Sequence, residues 1–235
     1  MFINSVITLI IISILLEVYL YFNFKKFILN KYFLFGNMLL WLLVLGNFGY
    51  NLVFFDRNIG QTQTTMWATG LFMVFGFPRL ILFIFFLVQD IFRGFGWLFN
   101  RATNRQVTEN SYLPSRRKFV MISGLTVASI PFFSLIYGMT VGKYNFKVIK
   151  KKLAYERLPK SFDGFKILHI TDIHSGSLDN KEKIEQAIDL INQQEFDILL
   201  FTGDIVNNFH WEMDKWYDVF SKIKQAPHGN FAVLR

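Results

Sequence analysis

The sequence predicts two parts of different fold class: an all-α region of four transmembrane helices (residues 1–141) and the first part of an α/β layered domain (residues 142–235). The chain is 52% hydrophobic, contains 29 Phe, and has a positive mean hydropathy, which is more apolar than ordinary soluble domains. Charge is divided unevenly. Residues 1–141 carry eleven Lys and Arg against four acids, whereas residues 142–235 carry fourteen against thirteen. The apolar, basic first part and the balanced second part therefore differ in environment.

Four apolar stretches are long enough to cross a bilayer, which takes about 20 residues as a helix. They are Phe2–Phe24, Phe33–Phe55, Met66–Val88 and Phe119–Val141. The first starts next to Met1 without a basic start, so we expect no cleaved signal peptide. The sequence therefore predicts an integral membrane protein of four spans with the lipid bilayer as its partner.

The distribution of basic residues predicts the orientation. The first and third loops between spans hold nine Lys and Arg, and the second holds only Arg57. Because positive loops stay in the cytoplasm, the N-terminus and the α/β part are expected to be extracytoplasmic. The same distribution argues against a nucleic-acid partner, since the charge excess flanks apolar spans. The chain contains no cysteine, which excludes disulfides and thiolate metal sites.

A basic motif precedes the fourth span. Ser115-Arg116-Arg117-Lys118-Phe119-Val120 is similar to a twin-arginine export signal, in which two arginines precede a mildly apolar run. Arg116 and Arg117 can equally be an ordinary cytoplasmic flank. Both interpretations predict the same topology.

Two charged residues lie inside the spans, Glu17 in the first and Arg79 in the third, next to Pro78. Their depths are similar, about 22 Å and 20 Å from the start of each span at 1.5 Å per residue. An unpaired charge there costs roughly 2.5–3.5 kcal/mol. We therefore hypothesise an intramembrane pair between Glu17 and Arg79; the alternative is that each snorkels separately or lines a polar pocket.

The second part shows strand and helix patterns in alternation. We expect strands around 144–148, 165–171, 197–202 and 231–234, and helices starting after Asp179 or Asn180 and over 211–224. This order is typical of an α/β layered domain with partly parallel pairing. His169 falls within a strand and is expected to be structural.

Two of the predicted strands end in metal-ligating residues. Asp172 and His174 follow the first, and Gly203-Asp204 follows the second. Ligands of α/β sheets collect at the carboxyl edge, and residues two apart in an extended segment point to the same side. Mixed carboxylate and imidazole ligands suit Mn, Zn or Fe better than Ca. We therefore expect Asp172, His174 and Asp204 to form a good half of a binuclear metal site.

The stretches Phe162–Gly176 and Phe201-Thr-Gly-Asp204 resemble the first two signatures of calcineurin-like metallophosphoesterases, with the closest resemblance to a membrane-anchored bacterial branch. The resemblance implies an αββα sandwich and a hydrolase of phosphate mono- or diesters with two divalent or trivalent metal ions. It also implies that Asp172 and His174 bind one metal and that Asp204 bridges both.

The family's next signature, Gly-Asn-His-Asp/Glu, is not found before Arg235. Its His, the expected catalytic residue, is therefore missing, and we expect this chain to be truncated and inactive by itself. The alternative is a non-enzymatic membrane sensor or scaffold with a degenerate domain. A transporter, suggested by Glu17 and Arg79, is disfavoured by only four spans without repeats.

Overall fold

The structure, a computed structural model, describes residues 2–28, 30–103 and 114–233, without the side chains of residues 2–3 and 114–116. It contains two compact units. One comprises residues 1–55 and 67–140, and the other comprises Asp56–Met66 together with residues 141–235.

Four long helices make up the first unit, apart from the first turn of the third, which belongs to the other unit. They are α1 (Phe2–Phe24), α2 (Lys31–Val53), α3 (Gln63–Ala102) and α4 (Pro114–Thr140). All four are long and apolar enough to cross a membrane. The Asn30 side chain caps α2 by accepting hydrogen bonds from the backbone N–H groups of Tyr32 and Phe33.

Helix α3 is longer than its predicted span. It extends for 40 residues, beyond Val88 and through Arg93 and Arg101, and includes Pro78 without interruption. After Val88 no proline stops the helix, so the segment expected as a loop continues the same helix at about 1.5 Å per residue.

The helices pack through aromatic and aliphatic side chains. A buried cluster joins Leu20 of α1, Leu82 and Phe86 of α3, and Ala128 of α4. Phe72 stacks on Phe48, with ring centroids 4.1 Å apart. Many other large apolar side chains on these helices are exposed, the surface expected of helices that face lipid.

The second unit contains a small parallel sheet. Its strands are β1 (Ile167–Ile170), β2 (Ile198–Phe201) and β3 (Asn230–Ala232), in the order β1-β2-β3. Helix α5 (Lys181–Asn192) connects β1 to β2, and Asn180 is its N-cap, accepting a hydrogen bond from Lys183 N. The parallel β1–α5–β2 unit confirms the predicted α/β layering.

Two predicted elements differ from the structure. The strand expected around 144–148 is absent: a 3₁₀ turn over Gly142–Tyr144 is followed by irregular chain. The helix expected over 211–224 is a 3₁₀ segment over His210–Trp216 and one turn of α-helix, α6 (Tyr217–Phe220). Trp216 and Val219 of this segment are buried against Ile184 and Ile188 of α5.

Candidate metal centre

The two parallel strands β1 and β2 bring their following loops together. Ile170 is in register with Phe201, and the pairing continues past the strands. The backbone N–H groups of Asp172, His174 and Ser175 donate to the carbonyl oxygens of Gly203, Asp204 and Ile205, at 3.1, 3.2 and 2.8 Å. The two ligand-bearing loops are thus held side by side.

Asp172, His174 and Asp204 lie together at this edge. Each offers a carboxylate oxygen or ring nitrogen, and these atoms are all within 4.8 Å of one another. His174 Nε2 is 3.5 Å from Asp204 Oδ2, and the two side chains are 45% and 40% exposed. Three convergent donors with access to solvent form a candidate cation site.

The backbone at these three residues is unusual. Asp172, His174 and Asp204 have φ of 54°, 47° and 55°, and no other non-glycine residue of the described ranges has positive φ. This left-handed conformation is uncommon outside glycine, although Asp and His adopt it more often than most residues. Strained backbone clusters at functional sites, where the surrounding structure holds it.

The left-handed backbone corrects one expectation. We expected Asp172 and His174 to point to one side because they are two apart in an extended segment. They do converge, but through a tight left-handed turn rather than strand alternation. Gly203 is buried and has a φ of 109°, a conformation that glycine adopts readily, and it allows the corresponding turn before Asp204.

Polar side chains next to the site connect it to the sheet and to later segments. His169 Nε2 and Thr202 Oγ1 are 2.7 Å apart across β1 and β2, and Thr171 Oγ1 donates to Asp172 Oδ2 at 2.8 Å. Asn207 Nδ2 donates to Ser177 Oγ at 2.8 Å. Thr202 lies within the quoted Phe201-Thr-Gly-Asp204 stretch, whereas nothing in the local sequence distinguishes Asn207 from an ordinary loop residue.

The remaining predicted residues lie in the helical unit. Arg79 Nε donates to Glu17 Oε2 at 2.9 Å, and both residues are buried. Asn37 and Trp41, which the sequence did not indicate, complete this cluster: Arg79 Nη2 donates to Asn37 Oδ1 at 3.1 Å, and its guanidinium lies 4.7 Å from the Trp41 ring.

The structure describes only part of the basic motif before α4. Arg117 Nη2 donates to Asn23 Oδ1 at 3.1 Å, and the guanidinium lies 5.3 Å from the Phe27 ring. The side chain of Arg116 is outside the described residues. Arg117 therefore contacts α1 and the turn that follows it.

Four apolar helices and an α/β layer with an Asp-His-Asp cluster define a class of protein, an integral membrane protein carrying a candidate metal centre. Comparison with known families narrows the class. Residues 3–143 match the family described as "Probable Calcineurin-like phosphoesterase, transmembrane domain", and residues 165–234 match "Calcineurin-like phosphoesterase". The chain therefore belongs to the four-span, membrane-anchored calcineurin-like phosphoesterases.

Curated relatives agree with this assignment. An "Uncharacterized metallophosphoesterase" of Helicobacter pylori (strain ATCC 700392 / 26695) is 27% identical over 96% of this chain and 57% of its own length. The "Uncharacterized metallophosphoesterase YkuE" of Bacillus subtilis is 39% identical over 22% of this chain and 18% of its own length.

A "Transmembrane protein with metallophosphoesterase domain" of Danio rerio is 25% identical over 31% of this chain and 17% of its own length. The chain spans about half the length of the two Helicobacter relatives that it matches, 57% and 41%. No solved structure matches significantly.

Proposed function

We propose that the chain is the membrane-anchored N-terminal portion of a metal-dependent hydrolase that cleaves phosphate mono- or diesters at a binuclear site. One observation carries the proposal. The three residues of the cluster are the same three non-glycine residues that the described structure holds at positive φ. Backbone strain concentrated on three potential ligands is typical of a preorganised functional site.

The donor set fits a transition metal. Two carboxylates and one imidazole match the ligand preferences of Mn, Zn or Fe. In this proposal Asp172 and His174 would hold one ion, and Asp204 would be a ligand shared with a second. Two bound ions would supply Lewis-acid stabilisation of the phosphate oxygens and activation of water.

The residues of this chain would position the metal ions and supply negative charge to bind them. The hydrogen bonds from the 172–175 loop to the 203–205 loop fix the separation of the ligands. Thr171 Oγ1 donates to Asp172 Oδ2, which leaves Oδ1 free of that hydrogen bond and able to face a cation. The partial exposure of His174 and Asp204 gives a phosphoester access from solvent.

Three ligands do not complete two coordination spheres, which take at least about four donors each. We therefore infer that residues 1–235 alone do not sustain hydrolysis and do not hold two metals tightly. The further donors are expected from the whole protein; 233 aligned residues are 57% of the first Helicobacter relative, which is therefore about 1.7 times as long as this chain of 235.

We further propose that the N-terminus and the phosphoesterase part are extracytoplasmic, with the change of region near residue 141. Nine basic residues in the first and third loops against one in the second support this orientation. The second loop also shares a compact unit with residues 141–235, as expected for two segments on the same side of a membrane.

The test is metal content and hydrolysis in the whole protein that carries this N-terminus, purified with Mn²⁺ and assayed on bis(p-nitrophenyl) phosphate. Asp204→Asn should lower Mn²⁺ affinity and hydrolysis by roughly 100-fold, because it removes a charged ligand shared by two ions. Asp189→Asn, which neutralises an exposed carboxylate on α5, is the matched control and should change neither.

Unchanged metal content in Asp204→Asn would refute the proposed site. Absence of hydrolysis by the metal-loaded whole protein would instead favour a sensor or scaffold.

A further inference from the structure

The Asp56–Met66 loop, which comprises the connection after α2 together with the first turn of α3, belongs to the same compact unit as the candidate metal centre. Asp56–Met66 is grouped with residues 141–235, although it is separated from them by two membrane helices in the sequence. Two of its contacts within that unit fall on the segments that directly follow the metal-ligand loops.

Gly60 makes the first contact. It is buried, with φ of +77°. A Cβ at this position would lie 2.8 Å from Phe209 Cε2 and 3.0 Å from Phe209 Cδ2. The loop backbone therefore packs directly against the Phe209 ring, five residues beyond Asp204, and glycine is needed for both the backbone conformation and the close approach.

Gln63 makes the second contact. Its Nε2 donates to the carbonyl oxygen of Leu178 at 3.4 Å, and Lys215 Nζ donates to the same oxygen at 3.0 Å. Leu178 is buried and directly follows the 3₁₀ turn Ser175–Ser177. The loop thus reaches the segment four residues beyond His174.

The segment that Gly60 contacts is internally fixed. The Glu212 carboxylate accepts hydrogen bonds from the backbone N–H groups of Asn207 and Asn208, at 2.6 and 3.1 Å. The Phe209 ring stacks on Trp211 with centroids 4.3 Å apart. The Asn207–Ser177 hydrogen bond then joins this segment to the one that follows His174. Movement of Phe209 would therefore be passed to both ligand loops.

We propose that the Asp56–Met66 loop is a positioning element of the metal centre, which holds the 172–178 and 203–209 segments in one arrangement through Gly60 and Gln63. The effect of this loop on metal binding rests on the proposed function, whereas its packing against the two segments is independent of that function. The second loop of the membrane region thereby becomes part of the support of the site.

Cysteine cross-linking tests the contact in the complete chain in detergent. The Cβ built on Gly60 lies 3.3 Å from Asn208 Cβ, near the 3.5–4.5 Å found in disulfides. The chain has no native cysteine, so Gly60→Cys with Asn208→Cys leaves one possible intramolecular bond. Mild oxidation should form it. Gly164→Cys with Asn208→Cys is the matched control, because Gly164 has nearly the same φ, +78°, and nothing in the described part of the chain lies within 4 Å of its Cβ position.

Hydrogen exchange tests the positioning role. Gly60→Ala should speed amide exchange at 205–212 at least about threefold while exchange in α5 is unchanged, because local opening is released without global unfolding. Gly164→Ala carries the same backbone strain without the clash and should leave 205–212 unchanged. If Gly60→Ala also unfolds α5, Phe209→Leu, which shortens the other side of the contact, provides the same local readout.

The proposal is overturned if the Gly60–Asn208 disulfide forms no faster than the control, or if 205–212 exchanges equally in Gly60→Ala and Gly164→Ala. Mn²⁺ titration of the whole protein separates the two proposals. Weaker Mn²⁺ binding in Gly60→Ala than in Gly164→Ala supports positioning of the metal site. No Mn²⁺ binding by the unaltered protein refutes the proposed function, and the cross-link and exchange then decide the packing alone.

Discussion

The charged residues of the helical unit and those of the α/β unit differ in burial and in pairing. In the helices, the side chains of Glu17 and Arg79 are only 5% and 9% exposed, and the two form an ion pair. Arg79 also donates to the Phe75 carbonyl and to Asn37. In this apolar setting the two opposite charges compensate each other, and hydrogen bonds link the guanidinium to the carboxylate and to neighbouring oxygens.

In the α/β unit, the Asp172, His174 and Asp204 side chains gather without such compensation. Within the described ranges, no Lys or Arg forms an ion pair with either carboxylate. The backbone beneath them is strained and the side chains are open to solvent. The charges of Glu17 and Arg79 therefore hold helices together, whereas those of the Asp-His-Asp cluster are available to a ligand.

The largest expected effect is on the helical pair. Glu17→Ala should destabilise the helical unit by about 3 kcal/mol, because it leaves the Arg79 guanidinium buried without its counter-ion. Denaturant titration in detergent would measure this, with Trp41 fluorescence as the probe, since the Trp41 ring lies 4.7 Å from that guanidinium.

The charge swap Glu17→Arg with Arg79→Glu should restore part of the loss. Equal and independent losses from the two single changes, with no recovery in the swap, would show that the two residues do not stabilise the helices as a pair.

An intermediate effect is expected at Asp179. Lys143 Nζ lies 2.8 Å from Asp179 Oδ2, and the Tyr144 hydroxyl donates to Oδ1. Burial acts to raise the pKa of Asp179, but the hydrogen bonds from Lys143 and Tyr144 and the charge of Lys143 outweigh it and lower the pKa below its ordinary 3.8. The stabilisation is therefore complete above pH 3.8 and is lost as pH falls below that value.

Asp179→Asn should remove about 1 kcal/mol at neutral pH and flatten the acid limb of the stability profile. Unfolding of the α/β unit can be followed by the fluorescence of buried Trp216. Asp163→Asn, at an exposed carboxylate, is the control. An unchanged acid limb in Asp179→Asn would assign that limb to other carboxylates.

The smallest effect is expected at the candidate ligand Asp172. Without metal, Asp172→Asn should change the free energy of unfolding by less than about 0.5 kcal/mol, since no basic partner among the described residues is lost and Asn tolerates the left-handed conformation. Thermal unfolding in EDTA measures this change. A loss of more than about 2 kcal/mol would make Asp172 a structural residue and erase the contrast with Glu17.

Local patterns predicted much of the fold. Apolar length indicated the four spans, and the short apolar runs around 165–171 and 197–202 indicated β1 and β2. Asn180 was one of two expected N-caps because its side chain can accept from the first turn. These elements depend on residues near one another in the sequence.

Features that depend on distant contacts were not predictable. The conformation of Asp172, His174 and Asp204 depends on hydrogen bonds between two loops about 30 residues apart. Asn37 and Trp41 gain a role only because α2 and α3 pack together around Arg79. The contact of Gly60 with Phe209 joins positions almost 150 residues apart, which no periodicity records.

The contact of Arg117 with α1 has a consequence for how the protein is assembled. Its guanidinium donates to buried Asn23 and lies over Phe27, and its Nε is buried with no hydrogen-bond partner among the described residues. Once α1 and α4 have packed, this arginine is only partly exposed and its Nη2 is bound to α1. If Ser115–Val120 serves as an export signal, an unbound Arg117 side chain is offered to a soluble receptor only before the helices associate, so the order of synthesis and insertion affects recognition as well as the sequence does.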